Sequence, residues 1–206
     1  MTKGRSLLDI RKNVVTNFTY DVPRLHRQGV VGALANGWQL SGVLTFSDGF
    51  AFSLSDNNTA QTAQFFSTEG LKPNLVPGGN NSPVLGGPNK YYDFNQFVPS
   101  TCTGAKVCTP GGPDYRVGHF GNLGYNTLTR PGYAAVDFSL LKNLNLTEST
   151  RFQFRTEFFN LANRPNFGLP NSSPFLNNGT RNPEAAKITS TRGSSRQIQF
   201  ALKYIF

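Results

Sequence analysis

Five stretches of the chain alternate apolar and polar residues at period two, the spacing that puts successive side chains on opposite faces of a β-strand. The clearest closes the sequence. Between Arg196 and Phe206, the residues Ile198, Phe200, Leu202, Tyr204 and Phe206 fall on one face, and Gln197, Gln199, Ala201, Lys203 and Ile205 on the other. The same pattern sets Val14, Thr16, Phe18, Tyr20 and Val22 against Val15, Asn17, Thr19 and Asp21, and Trp38, Leu40, Gly42, Leu44 and Phe46 against Gln39, Ser41, Val43, Thr45 and Ser47. It continues with Val136, Phe138 and Leu140 against Asp137 and Ser139, then Phe152, Phe154, Thr156 and Phe158 against Arg151, Gln153, Arg155 and Glu157. Strands are therefore predicted near 13–22, 37–54, 133–144, 151–161 and 196–206, each with one apolar face. Pro23 ends the first, because it has no amide hydrogen to continue a ladder.

What separates the strands is uneven. The connector 24–36 has room for one short helical turn, and Asn145-Leu-Thr-Glu-Ser-Thr150 reverses the chain tightly. By contrast, 55–131 and 162–193 lose all alternation and fill with Pro, Gly and Asn, as in Val76-Pro-Gly-Gly-Asn-Asn-Ser-Pro83. Connections this long inside a domain are functional or disordered. Short turns at one end of the strands and long loops at the other are the layout of outer-membrane barrels, with the long loops outside and the carboxy end on the periplasmic side. Trp38, at the start of its strand, fits an interfacial aromatic girdle or a buried core equally well.

Composition sharpens this picture. The chain has 206 residues, of which 37% are hydrophobic, with 18 Phe and 7 Tyr but one Trp and one Met. Its mean hydropathy is −0.35, and no window holds the roughly 18 apolar residues of a spanning helix. Barrel strands show lipid only every second residue, which keeps mean hydropathy low. The net charge of +9 raises nucleic-acid binding, but Lys and Arg are scattered without a basic helix or dense run. No nucleic-acid motif is present.

Candidate chemistry is sparse. Cys102 and Cys108 match neither CxxC nor a zinc-ligand pattern, and are read as a local disulfide formed in an oxidising compartment. His26 and His119 lie in different connectors, so no triad has a local signature. Gly118, Gly121 and Gly124 have the wrong spacing for a phosphate loop and read as turn residues. No enzyme, metal or cofactor is expected. The acids Asp21, Asp137 and Glu157 and the bases Arg155 and Lys203 share the polar faces, where cross-strand pairing and solvation account for them.

Two resemblances follow from these residues. The closing strand, with Phe200, Leu202, Tyr204 and terminal Phe206, resembles the last strand of a bacterial outer-membrane barrel, which the barrel-assembly machinery reads as its signal. Asp9-Ile-Arg11, Gly37-Trp-Gln-Leu-Ser-Gly42, Gly121-Asn-Leu-Gly124, Arg130-Pro-Gly132, Val136-Asp-Phe-Ser-Leu-Leu-Lys142 and Phe154-Arg-Thr-Glu-Phe-Phe-Asn-Leu-Ala-Asn-Arg-Pro-Asn-Phe-Gly168 are similar to the carboxy-terminal end of TonB-dependent outer-membrane receptors of the Oar-like kind. The resemblance runs from about Leu8 to Phe206. It implies an all-β, antiparallel transmembrane barrel fragment, about five terminal strands of a larger barrel, with long extracellular loops. Implied partners are outer-membrane lipid, the barrel-assembly machinery, an amino-terminal plug and barrel half in a parent chain, and TonB through that plug. The amino terminus lacks the apolar core of a signal peptide, so the expectation is a piece of an exported parent that imports a substrate, inactive alone. The competing expectation is a secreted or periplasmic β-sandwich that binds a ligand through its loops.

Overall fold

A computed structural model describes residues 4–26, 29–57, 71–102, 108, 112–115 and 120–206. Its elements in chain order are β1 (Asn13–Asp21), α1 (Gly29–Ala35), β2 (Trp38–Ser47), β3 (Ala51–Phe52), β4 (Asn74–Leu75), β5 (Phe97–Val98), β6 (Leu128–Thr129), β7 (Tyr133–Asn145), β8 (Arg151–Phe159) and β9 (Gln197–Ile205). They fall into two compact units. A sheet unit comprises 12–47, 133–166 and 193–206, and a loop unit comprises 1–11, 48–132 and 167–192.

In the sheet unit the five long strands pair antiparallel in the order β1-β2-β7-β8-β9, and β1 and β9 are its edges. The register keeps each strand's apolar positions in line with its neighbour's. One row runs Phe18, Gly42, Phe138, Phe158, Ile198, and another runs Tyr20, Leu40, Leu140, Thr156, Phe200. A slip of one residue in any ladder would turn that strand's apolar set to the other face, so the alternation in the sequence specifies the register. The β7–β8 turn closes with the amide of Leu146 donating to the Thr150 carbonyl at 2.9 Å and the amide of Thr150 donating to Thr147 Oγ1 at 3.0 Å.

One expected strand is shorter than the alternation implied. The run 37–54 leaves the ladder after Ser47, and only Ala51–Phe52 resumes pairing, against Leu128–Thr129 in a separate two-stranded sheet. The cause is local. Gly49 packs its backbone so close to the Arg130 carbonyl that a Cβ would lie 1.7 Å from that oxygen, and the Arg130 amide donates to the Phe50 carbonyl at 3.0 Å.

The two long connections carry more structure than their lack of alternation suggests. Together they bury Phe52, Leu54, Tyr92, Phe97, Leu123, Leu128, Phe175 and Ala186 in one core. The β4–β5 pair, the turn at Phe94–Gln96 and the short β3–β6 pair frame this core. Its regular ladders are short, so much of the backbone is satisfied by single bonds across long stretches of chain. Examples are Tyr91 N–H to the Ala186 carbonyl at 2.8 Å and Ile188 N–H to the Pro88 carbonyl at 2.7 Å.

Candidate functional site

One face of the sheet is apolar along all five strands. Ring meets ring across neighbouring strands: Phe138 and Phe158 at 6.3 Å, Phe152 and Tyr204 at 5.0 Å, Phe154 and Phe200 at 6.2 Å between centroids. Toward the edge strands the side chains stay uncovered, and those of the central strands are half-buried. Phe200 is 66% exposed and Leu202 70%, and Val14, Phe18, Tyr20, Phe46, Phe154 and Ile198 are exposed as well. A sandwich would bury these residues against a second sheet. A contiguous apolar surface of this extent marks a partner that is itself apolar. Phe200, Leu202 and Tyr204, which the sequence suggests as an assembly signal, lie on this face of edge strand β9, and Phe206 follows just beyond its end, packing on Tyr204 at 5.8 Å.

A single cation, Lys142, interrupts that face, in register with Trp38 and Phe154. Parity places it there, since 142 continues the series 136, 138, 140. Lys142 is buried. Its Nζ donates to the carbonyls of Ala33 at 2.6 Å, Leu34 at 3.0 Å and Asn36. Ala33 and Leu34 lie in the carboxy-terminal turn of α1 and Asn36 just beyond it, where backbone carbonyls lack helical partners and the helix dipole is negative. Trp38 joins the cluster, donating from Nε1 to the Leu34 carbonyl at 2.8 Å while its ring lies 5.0 Å from the ammonium. The tryptophan is thus half-buried at the strand's end, beside a cation and a helix.

The opposite face is polar and internally bonded. Gln39 Nε2 donates to Asp21 Oδ1 at 2.7 Å across β1–β2, and Gln153 Nε2 to Asn143 Oδ1 at 3.0 Å across β7–β8. Glu157 pairs with Arg155 along its own strand at 3.6 Å rather than across to a neighbour. Asp137 Oδ1 accepts from the Asn160 amide at 2.8 Å, fixing where β8 ends. At the short-turn end a cavity of about 590 Å³ opens among Asp21, Arg24, Gln39, Asn143 and Arg151.

The loop unit is held by polar groups buried with their partners. Arg5 spreads its guanidinium over the carbonyls of Asn126, Thr127 and Leu128, and Asn126 Nδ2 returns a bond to the Arg5 carbonyl at 2.6 Å. The Tyr91 hydroxyl donates to the Thr129 carbonyl and the Tyr92 hydroxyl to the Asn171 carbonyl. Burial pushes the Tyr91 phenol up to about 12 and that of Tyr92 further still. Lys72, desolvated with its ammonium over the Tyr125 ring, has a lowered pKa. Cys102 and Cys108 are joined in a disulfide with Cα atoms 5.6 Å apart, and pack with Val76 and Val98.

His26 is exposed, while His119 and Gly118 lie outside the described residues. No group of three or more His, Cys, Asp or Glu able to hold a metal occurs among the described residues, nor is any helix among them long and apolar enough to cross a membrane.

An antiparallel sheet in consistent register, with an apolar face that no second layer covers, backed by a hydrogen-bonded polar face, is a wall of a membrane-spanning β-barrel. The chain belongs to the outer membrane beta barrel domain family, whose model matches residues 1–199. Its place is accordingly the outer membrane. No curated protein and no solved structure matches the chain.

Proposed function

We propose that this chain forms part of the barrel of a TonB-dependent outer-membrane importer, with the long connections on the extracellular side. The observation that carries the reading is the pair of unpaired edges. β1 and β9 end the sheet without meeting, and an open edge in hydrocarbon leaves backbone groups unsatisfied at several kcal/mol each. Such a sheet needs further strands, and large barrels of about 22 strands are those of plugged transporters. The motifs around Trp38, Arg130 and Phe154, similar to those of Oar-like receptors, point the same way. In this reading the polar face of Gln39, Asn143, Gln153 and Glu157 lines a plugged lumen. The loop unit meets substrate from outside, and a signal peptide of the parent protein directs export.

Crosslinking in living cells, followed by purification of a tagged chain from the outer membrane, tests the proposal. The expected outcome is co-purification with a plug-bearing polypeptide, or its presence in the same polypeptide, together with a crosslink to TonB. Recovery in a closed pore containing neither plug nor TonB would overturn import while leaving the barrel intact.

A further inference from the structure

Helix α1 has the sequence Gly-Val-Val-Gly-Ala-Leu-Ala, without one charged or hydrogen-bonding side chain. Seven residues cannot sustain a helix alone in water. Outside contacts hold it, and they come from the lipid-facing side of the sheet. Lys142 shares a face with Val136, Phe138 and Leu140, and its ammonium collects the carbonyls of Ala33, Leu34 and Asn36. Trp38, its register partner on that face, bonds the Leu34 carbonyl. The carboxy-terminal turn of α1 is therefore fastened to the apolar face of the barrel wall, at the end where strands reverse through short turns.

The rest of the helix points away from these anchors, bare. Val30 is 76% exposed, Val31 63% and Leu34 65%. A helix facing water would put polar residues there. The surface asks for an apolar cover, but one that ends within a turn, because the flanks are polar. Arg24 and His26 are exposed immediately before the helix, and the Asn36 side chain accepts from the Leu25 amide at 2.7 Å and donates back to its carbonyl at 3.1 Å. Aromatic rings and cations beside an apolar surface that gives way to polar groups over a few ångströms match the headgroup boundary of a bilayer. The surface is also continuous with the face already in contact with lipid, so the same bilayer reaches it.

We propose that α1 is an interfacial foot of the barrel wall, lying in the phospholipid headgroup boundary of the leaflet at the short-turn end, with Val30, Val31 and Leu34 among the upper acyl carbons. Trp38 and Lys142 fasten it, and Arg24 and His26 face lipid phosphate. A basic residue next to an anionic surface adds attraction there. The inference rests on membership of the barrel family and is independent of substrate import.

The test places the photoreactive residue p-benzoylphenylalanine at Val31, at Leu34, at Leu202 and at Ser149 in the protein resident in cellular outer membranes, and reads adducts by mass spectrometry. Phospholipid adducts are expected at Val31, Leu34 and Leu202, several-fold above those at Ser149 in the polar turn. Lys142→Met, which keeps the aliphatic stem but loses the carbonyl contacts, should lower the Val31 adduct toward the Ser149 level and leave Leu202 unchanged. A protein crosslink at Val31 overturns the proposal in favour of a polypeptide partner. Absence of any adduct at Val31 while Leu202 captures lipid overturns it in favour of water. Absence of lipid at both sites removes the barrel wall itself.

Discussion

Phe154 on β8 stacks on Phe200 of β9 with planes 18° apart, although the register pairs Phe154 with Leu202 and Phe200 with Thr156. The contact is diagonal, within reach of large side chains two residues out of step on one face. It covers the small Thr156 side of the ladder and joins the edge strand to the sheet interior.

With the apolar face toward lipid, Phe154→Arg or Leu202→Arg would carry a guanidinium into hydrocarbon, at a cost of about 2 to 4 kcal/mol near the midplane. Gln153→Arg and Gln199→Arg point to the polar face and should cost far less. The amount of protease-resistant protein in outer membranes is the readout. Equal loss for both sets would contradict the assignment of faces.

Removing the ammonium of Lys142 strands three carbonyls in an apolar setting. Hydrogen bonds to a charged group contribute about 1.5 to 3 kcal/mol each before compensation. Lys142→Ala is therefore expected to lower the denaturation midpoint of the membrane-resident protein, with Lys142→Arg recovering part of the loss. An unchanged midpoint in Lys142→Ala would show that α1 is held by something else.

The loop unit should lose stability in alkali. The neutral phenol of Tyr91 is favoured on folding, so its pKa rises from 10 in the unfolded chain to about 12. Its contribution is complete below pH 10 and disappears as pH climbs through about 12. Near-ultraviolet tyrosinate absorbance should show a late-titrating phase that Tyr91→Phe diminishes. That variant should also lose about 1 kcal/mol at neutral pH, with the bond to the Thr129 carbonyl.

Cys102 and Cys108, six residues apart, close a small loop. Loop-closure entropy gives about 2 kcal/mol for a ring of this size. Thiol reagents should label neither cysteine without reductant, and reduction should lower the thermal midpoint of the loop unit. Ready labelling of native protein would rule out the bond.

The sheet was legible because its faces obey one rule along the whole length of each strand: Phe152, Phe154 and Phe158 against Gln153, Arg155 and Glu157 read correctly without any tertiary knowledge. The loop unit was not. Tyr92, Phe97 and Phe175 are buried in one core, but they come from irregular segments whose bonds join residues far apart in the chain, such as Tyr91 to Ala186 and Ser55 to Ser172, and no periodicity encodes such pairings. The end of β2 was missed for a related reason. Ala51 and Phe52 keep strand character, and only the close approach of Gly49 to Arg130 shows that they pair elsewhere. Gly37 opens the Gly37–Gly42 motif, and its positive φ of 78° and its carbonyl bond to the Asn143 amide make it the turn between α1 and β2, a role that a left-handed conformation reserves for glycine.

The single core beneath the two long connections also sets an order in time. Phe52 and Leu54 precede β7 in the chain, whereas Phe175, Ala186 and Ile188, which complete the same core, follow β8. A nascent chain that has delivered β1 and β2 still lacks the residues that would let its first long segment settle. Closing so wide a span is entropically slow. Until the stretch ending near Arg192 arrives, Tyr92 and Phe97 lack the residues that complete their shelter.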